Sequence, residues 1–228
     1  MRAARAFLLL PAALLAACVA RTPVPAEPAG TPVPQDFPRS YYNDARARGL
    51  EVLLVDPAAS VVAIEVRRGG PLAGLGHDHV VASRDVQGYV LPHDARADLF
   101  VPLARLTVDE AGLRSEWGMD KPVSAEAIEG TRRNMLEKVL EAEHHPYALV
   151  RISRKDEATL RVAITLHGRT LEVDTPAHIE HADRKMTVSG SMTIAQSDFG
   201  ITPFSVLGGA LQVQDSLALR YRIVALRQ

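Results

Sequence analysis

The chain has 228 residues, a formal net charge of −1 and a single cysteine. A near-neutral balance without a basic stripe leaves no footprint for a nucleic-acid partner, and one cysteine allows no disulfide within the chain. Stability must therefore come from a packed core, and the low aromatic content of 5% suits a filled core and a hollow one equally.

The first twenty residues, "MRAARAFLLLPAALLAACVA", carry Arg2 and Arg5 and then an apolar run from Ala6 to Ala17. This is a charged start and a short apolar stretch, too short for a stable membrane span. Leu15-Ala16-Ala17-Cys18 looks like a bacterial lipobox. It predicts a lipoprotein signal peptide over residues 1–17, with Cys18 as the lipidated first residue of the mature chain. An ordinary secretory signal cut near Ala17 is the other reading. Val19 is not an aspartate, so no inner-membrane retention signal is evident. The expected location is the periplasm of a Gram-negative bacterium, with the anchor in the inner leaflet of the outer membrane. Removing residues 1–17 takes away Arg2 and Arg5 and no acid, leaving −3.

Residues 18–48 then form a Pro/Ala-rich stretch without apolar periodicity, read as an extended tether from the anchor. Residues 49–228 remain, enough for one domain with a sizeable core. They read mostly as strands. "EVLLV" (51–55) and "SVVAIEVRR" (60–68) flank a turn at "DPAA". "HVVASRDVQGYVL" (79–91), "ADLFVPLARLTV" (97–108) and five further stretches from Tyr147 to Leu226 follow. Leu160, Val162, Ile164 and Leu166 alternate onto one face. So do Leu217, Leu219, Tyr221 and Ile223, with Arg220 and Arg222 on the other. Period-two alternation means one buried face and one wet face, and many such strands with short turns argue for a barrel or sandwich.

One helix interrupts the strands. "SAEAIEGTRRNMLEKVLEAEHHP" offers Ser124 as N-cap and Glu126 in the first turn. Ile128, Met135, Leu136, Val139 and Leu140 form a loose apolar stripe, and Pro146 ends the run. The expected helix lies against or caps the sheet.

Four segments, in order, carry a resemblance to the YceI-like family of periplasmic proteins. They are the histidine-led strand running to Gly88-Tyr89-Val90; the helix, proline and strand of "RRNMLEKVLEAEHHPYALVRI"; the hairpin "LHGRT" (166–170); and Ser197-Asp198-Phe199-Gly200-Ile201. The resemblance implies an all-β fold with one helix, an antiparallel lipocalin-like barrel holding a polyisoprenoid chain. The sequence departs from the family pattern at Ala195 and Gln196, where an arginine is common, and at His77-Asp78-His79, where a lone histidine is commoner.

A barrel that sequesters a prenyl chain needs inward positions that leave a void. The candidate lining is Leu75, His77, His79, Val81, Leu99, Val101, Leu103, Ile164, Ile194, Phe199, Phe204 and Val206. The helix adds Met135, Leu136, Val139 and Leu140. Plain core packing is the competing reading for each.

In "GLGHDHV", His77 and His79 share one face if extended. They can hold zinc or copper if a third ligand arrives, contact a ligand headgroup, or fix the strand entry by bonding the backbone. No helical His-x-x-x-His spacing supports the metal, so the structural and headgroup readings are preferred. A metal-dependent hydrolase built on His77, Asp78 and His79 is kept as the alternative, and a ligand-free envelope lipoprotein as a further one. No nucleophile elbow or other catalytic constellation is present. No cofactor is expected beyond a bound isoprenoid or isoprenoid quinone. The expected partners are that ligand and the membrane, through the anchor. Oligomeric state is open, a homodimer being allowed.

Overall fold

The computed structural model describes residues 32–227. The predicted signal peptide, Cys18 and the first part of the tether lie outside the described residues. The strands are β1 (Leu53–Val55), β2 (Val61–Val66), β3 (Arg68–Gly69), β4 (His79–Ser83), β5 (Gln87–Leu91), β6 (Arg96–Pro102) and β7 (Thr107–Val108). After a helical insertion come β8 (Tyr147–Arg154), β9 (Thr159–Leu166), β10 (Arg169–Ala182), β11 (Lys185–Ala195), β12 (Ser205–Val206), β13 (Leu211–Val213) and β14 (Ser216–Arg227).

Two of the expected strands, 79–91 and 97–108, are broken in the middle, and the two expected on either side of the DPAA turn run on as one stave. β1 and β2 form one stave interrupted at Pro57–Ala59, where the Asp56 carboxylate accepts from the Ala58 amide at 3.0 Å. β4 and β5 form a second, and β6 and β7 a third. With β8, β9, β10, β11 and β14 they make a closed antiparallel barrel of 8 staves. β14 closes it. One edge pairs with β11 along its whole length, and the other pairs first with β2 and then with β1. Closure leaves no unpaired edge in the ring. Gly88 marks the bend in the second stave. Its φ is 146°, and a Cβ there would stand 2.2 Å from the Asp98 carbonyl on β6. A separate three-stranded flap, β12-β13-β3, stands beside the ring.

The expected helix is α3 (Ala125–Asn134), with Ser124 as its N-cap accepting from the Ala127 amide at 3.2 Å. It runs on into a π-helical turn over Met135–Val139. Met135, Leu136, Val139 and Leu140 lie on one side of this segment and face the barrel end. Met135, Leu136 and Leu140 pack against the core cluster that includes Val81, Leu103, Leu106 and Val108, and Val139 and Leu140 against the one that includes Ile164, Phe199 and Ile201.

Two shorter helices were not expected. α2 (Ala111–Glu116) covers the outer face of β2 and β4, placing Leu113 on Ala63, Val80 and Ala82. α1 (Arg39–Ala47) corrects the tether boundary. Its Tyr42 and Ala45 are wholly buried with Leu91, so the segment 18–48 is not extended as far as residue 48. The proline-rich composition masked an amphipathic "RSYYNDARA" turn with apolar residues one turn apart. No helix among the described residues is long and apolar enough to cross a membrane.

Candidate ligand cavity

The register that closes the barrel also lines it. Leu99 on β6 pairs directly with Val150 on β8, which pairs with Ile164 on β9, and all three face inward. On β14, Leu219, Tyr221 and Ile223 face inward. Arg220 lies outside over the Trp117 ring, and Arg222 donates to the Ala59 carbonyl. Many of the inward positions are valines, including Val62, Val86, Val90, Val101, Val162 and Val188. Eight staves enclose a space that large side chains can fill or one small ligand can occupy. These short side chains do not meet across it, and an apolar cavity of about 410 Å³ remains, within the usual size of small-molecule sites.

Apart from Tyr221, the cavity lining holds no aromatic residue. Phe37, Tyr42, Tyr89 and Phe100 cluster on the outside of the wall beneath α1, with the Phe37 and Phe100 rings 4.9 Å apart. Phe199 is fully buried in the floor, in the short turn Gln196–Phe199. Asp198 accepts from the Ala195 amide at 3.2 Å and so holds that turn.

The cavity's polar groups gather at the end away from α3. Arg96 and Arg154 come from strand ends there, and His181 from the end of β10, beside Pro92 and Ala95. Arg96 is held by Asp98 at 2.7 Å, and Asp98 also accepts from Tyr42 at 2.8 Å and Arg151 at 3.0 Å. Burial alone would raise the Asp98 pKa. The hydrogen bonds from Arg96, Tyr42 and Arg151 outweigh it and hold the carboxylate below its ordinary range. Burial, reinforced by Asp98, pushes the Tyr42 phenol up.

Tyr221 is the polar group deepest in the wall. Its ring lies over Gly190, where a Cβ would stand 2.5 Å from the hydroxyl. Burial raises its pKa, opposed by nearby Thr175. The hydroxyl itself is buried in the wall and makes no hydrogen bond of normal geometry.

The sequence model of the YceI-like domain matches residues 54–225, the whole ring from β1 to β14. The chain belongs to the YceI-like family. No curated protein matches it in sequence. Among solved structures it is similar to a polyisoprenoid-binding domain from Saccharophagus degradans implicated in plant cell wall breakdown. Identity is 12%, over 78% of this chain and 99% of that one, with a TM-score of 0.57. It is also similar to BcnA of Burkholderia cenocepacia, at 15% identity over 75% of this chain and 98% of that one, with a TM-score of 0.50. At these identities the likeness concerns the fold.

Within this YceI-like barrel, the residues singled out in the sequence fall into several places. Leu99, Val101 and Ile164 are on the cavity wall. Val81, Leu103, Met135, Leu136, Val139, Leu140, Ile194 and Phe199 belong to the packed floor. Phe204 lies partly buried under the Lys138 ammonium, 6.0 Å from its ring centroid. Leu75 and Val206 are corrections. They are 72% and 39% exposed, Leu75 in the segment between β3 and β4 and Val206 on β12 of the flap, rather than inside the barrel. The wall residues missed include Val150, Ile152, Val188 and His181. The signal was available for some of them, since "ALVRI" alternates as clearly as its neighbours.

The His-Asp-His stretch is also corrected, because none of it lines the cavity. The Asp78 carboxylate accepts from Arg67 at 3.1 Å and from the Arg68 amide at 3.0 Å. His79 Nδ1 is 2.7 Å from Asp109, and its Nε2 is 3.5 Å from the Thr131 hydroxyl on α3. Asp109 further accepts from the Val80 amide at 3.0 Å and from Arg114 at 2.8 Å. Burial, Lys121 and His79 lower the pKa of His77. These bonds pin the entry of β4 to α2 and α3. They occupy Asp78 and one nitrogen of His79, and among the described residues no third ligand joins His77 and His79. The geometry of a hydrolytic metal centre is therefore absent from this stretch.

Proposed function

We propose that the protein binds an amphiphilic isoprenoid, a polyprenyl lipid or an isoprenoid quinone, inside the barrel. The observation that carries this reading is the hollow valine-rich interior with Arg96, Arg154 and His181 gathered at one rim. Each 100 Å² of prenyl surface taken from water contributes about 2.5 kcal/mol, so the tail binds without directional bonds. The head then rests near Arg96, Arg154 and His181. The similarity to a polyisoprenoid-binding domain supports this reading.

The role is carriage or storage rather than catalysis, because the cavity wall holds no paired nucleophile and base. The hollow interior also disfavours a ligand-free envelope role. The lipobox-like Leu15-Ala16-Ala17-Cys18 supports a chain anchored by Cys18 on the periplasmic side of the outer membrane, where a carrier meets both lipid and water.

Native mass spectrometry of the full chain, purified without added lipid, tests this. An extra mass that is lost on organic extraction and matches a prenyl lipid or quinone is expected. A bare chain that takes up no added isoprenoid overturns the reading.

A further inference from the structure

Three side chains distant in the sequence meet beside the floor of the barrel. Glu141 follows the π turn, His145 precedes Pro146 before β8, and His167 occupies the turn between β9 and β10. One carboxylate oxygen and one nitrogen from each ring all lie within 4.8 Å of one another. His167 Nε2 is 3.4 Å from the Glu141 carboxylate. Two ligands each roughly 2.0–2.1 Å from a tetrahedral zinc stand about that far apart. The two imidazole rings are 4.5 Å apart between centroids and tilted by 51°, so they converge rather than stack.

Three observations separate this group from an incidental ion pair. His167 Nε2 is shielded from solvent and makes no hydrogen bond of normal geometry, whereas buried polar atoms are nearly always partnered. Leu166 and Arg169 pair around His167-Gly168, and both turn residues have positive φ, 52° and 74°. Such a two-residue turn favours Asn, Asp or Gly at its first position, yet a histidine stands there. Finally, the Glu141 carbonyl accepts from the amides of His144 at 2.8 Å and His145 at 2.9 Å. This tight turn folds His145 back towards the Glu141 side chain.

The geometry points to a binding site for a zinc-like divalent transition-metal ion, formed by Glu141, His145 and His167. Two imidazoles and one carboxylate are a donor set for zinc, copper or nickel, and three protein ligands leave a coordination position open. A bound ion ties the end of the capping helix to the β9–β10 turn, so it fastens the floor. The site lies apart from the cavity wall and does not depend on what the cavity holds.

The test is a zinc titration of the EDTA-stripped full chain in competition with a chromophoric chelator, with thermal unfolding as second readout. One equivalent should bind at micromolar affinity or tighter and raise Tm. His145→Ala and His167→Asn should each weaken binding at least about 100-fold, and Glu141→Gln about 10-fold. Asn suits the turn better than His, so metal-free His167→Asn should melt no lower than the parent and yet lose the zinc-induced rise. His77→Ala should bind zinc unchanged. Absence of stoichiometric binding by the parent chain overturns the site, and so does full binding by His145→Ala/His167→Asn.

Discussion

The barrel wall ends in Arg96, Arg154 and His181 at the mouth, and in Leu103, Phe199 and the Met135–Leu140 segment at the floor. The same staves make both ends, with the same alternation. What differs is which residues occupy the last rung. Large apolar groups and a helix meet across the floor and exclude ligand, whereas the rim carries charged side chains that cannot be buried unpaired. A hollow barrel is thus a packing decision at its middle and its ends, not a different fold.

The floor should be the more costly end to disturb. Phe199 is fully buried, in the core cluster that also holds Ile164, Ile194 and Ile201. Phe199→Ala should lower stability by about 4 kcal/mol, the range for buried Phe→Ala, read as a drop in the urea midpoint. A loss below about 1 kcal/mol would mean that the floor is not a rigid plug. The middle is more tolerant because it is empty. Val150→Trp projects a large ring into the void between Leu99 and Ile164. It should leave the far-UV spectrum intact and lower uptake of a fluorescent prenyl probe about 100-fold, equivalent to roughly 2.7 kcal/mol. Unchanged uptake would place the probe outside the barrel.

A third prediction concerns the buried carboxylate that joins β4 to the helices beside the floor. Burial acts to raise the Asp109 pKa, but His79, the Val80 amide and Arg114 outweigh it and hold it below its ordinary value. A carboxylate whose folded pKa is depressed stabilises the fold above its unfolded pKa, and that contribution is lost as pH falls through the folded one. The stability should therefore decline below about pH 4. Asp109→Asn should cost about 2 kcal/mol at neutral pH and make the acid limb shallower in denaturant titrations. Asn tolerates the left-handed backbone at this position, where φ is 59°, so the loss would report the charge rather than strain. An acid limb identical in both proteins would show that Asp109 titrates normally.

The fold was legible where alternation was strict. Leu160, Val162 and Ile164, and Leu219, Tyr221 and Ile223, were assigned to one face from the sequence, and each trio faces the cavity. The site was less legible because an inward residue near the floor and one at mid-height share the same pattern. Val81 and Leu99 both alternate correctly, yet only Leu99 meets the void. Height in a barrel depends on stagger between staves, which no single strand encodes. Leu75 failed differently. It lies in a glycine-rich loop whose apolar character looks like a strand entry, while the three-stranded flap holds it outside. The Glu141, His145 and His167 group was invisible because two separate turns bring it together.

The smallest effect expected is at the mouth, and it bears on which head group the rim favours. Arg154 is exposed, so its attraction for a charged head is screened and worth about 1 kcal/mol at most. Arg154→Gln should therefore weaken a prenyl phosphate by about 5-fold and leave an isoprenoid quinone unaffected, measured by competition against one fluorescent probe. Equal weakening of both would mean that Arg154 shapes the opening rather than reading charge. Weakening of neither would shift recognition of the head to Arg96 and His181. Arg96 is already held by Asp98 at 2.7 Å and lies 4.3 Å from the Tyr41 ring centroid. A head group recognised there would meet a cation fixed in position by α1, so the segment first read as a tether would be part of what sets the selectivity of the mouth.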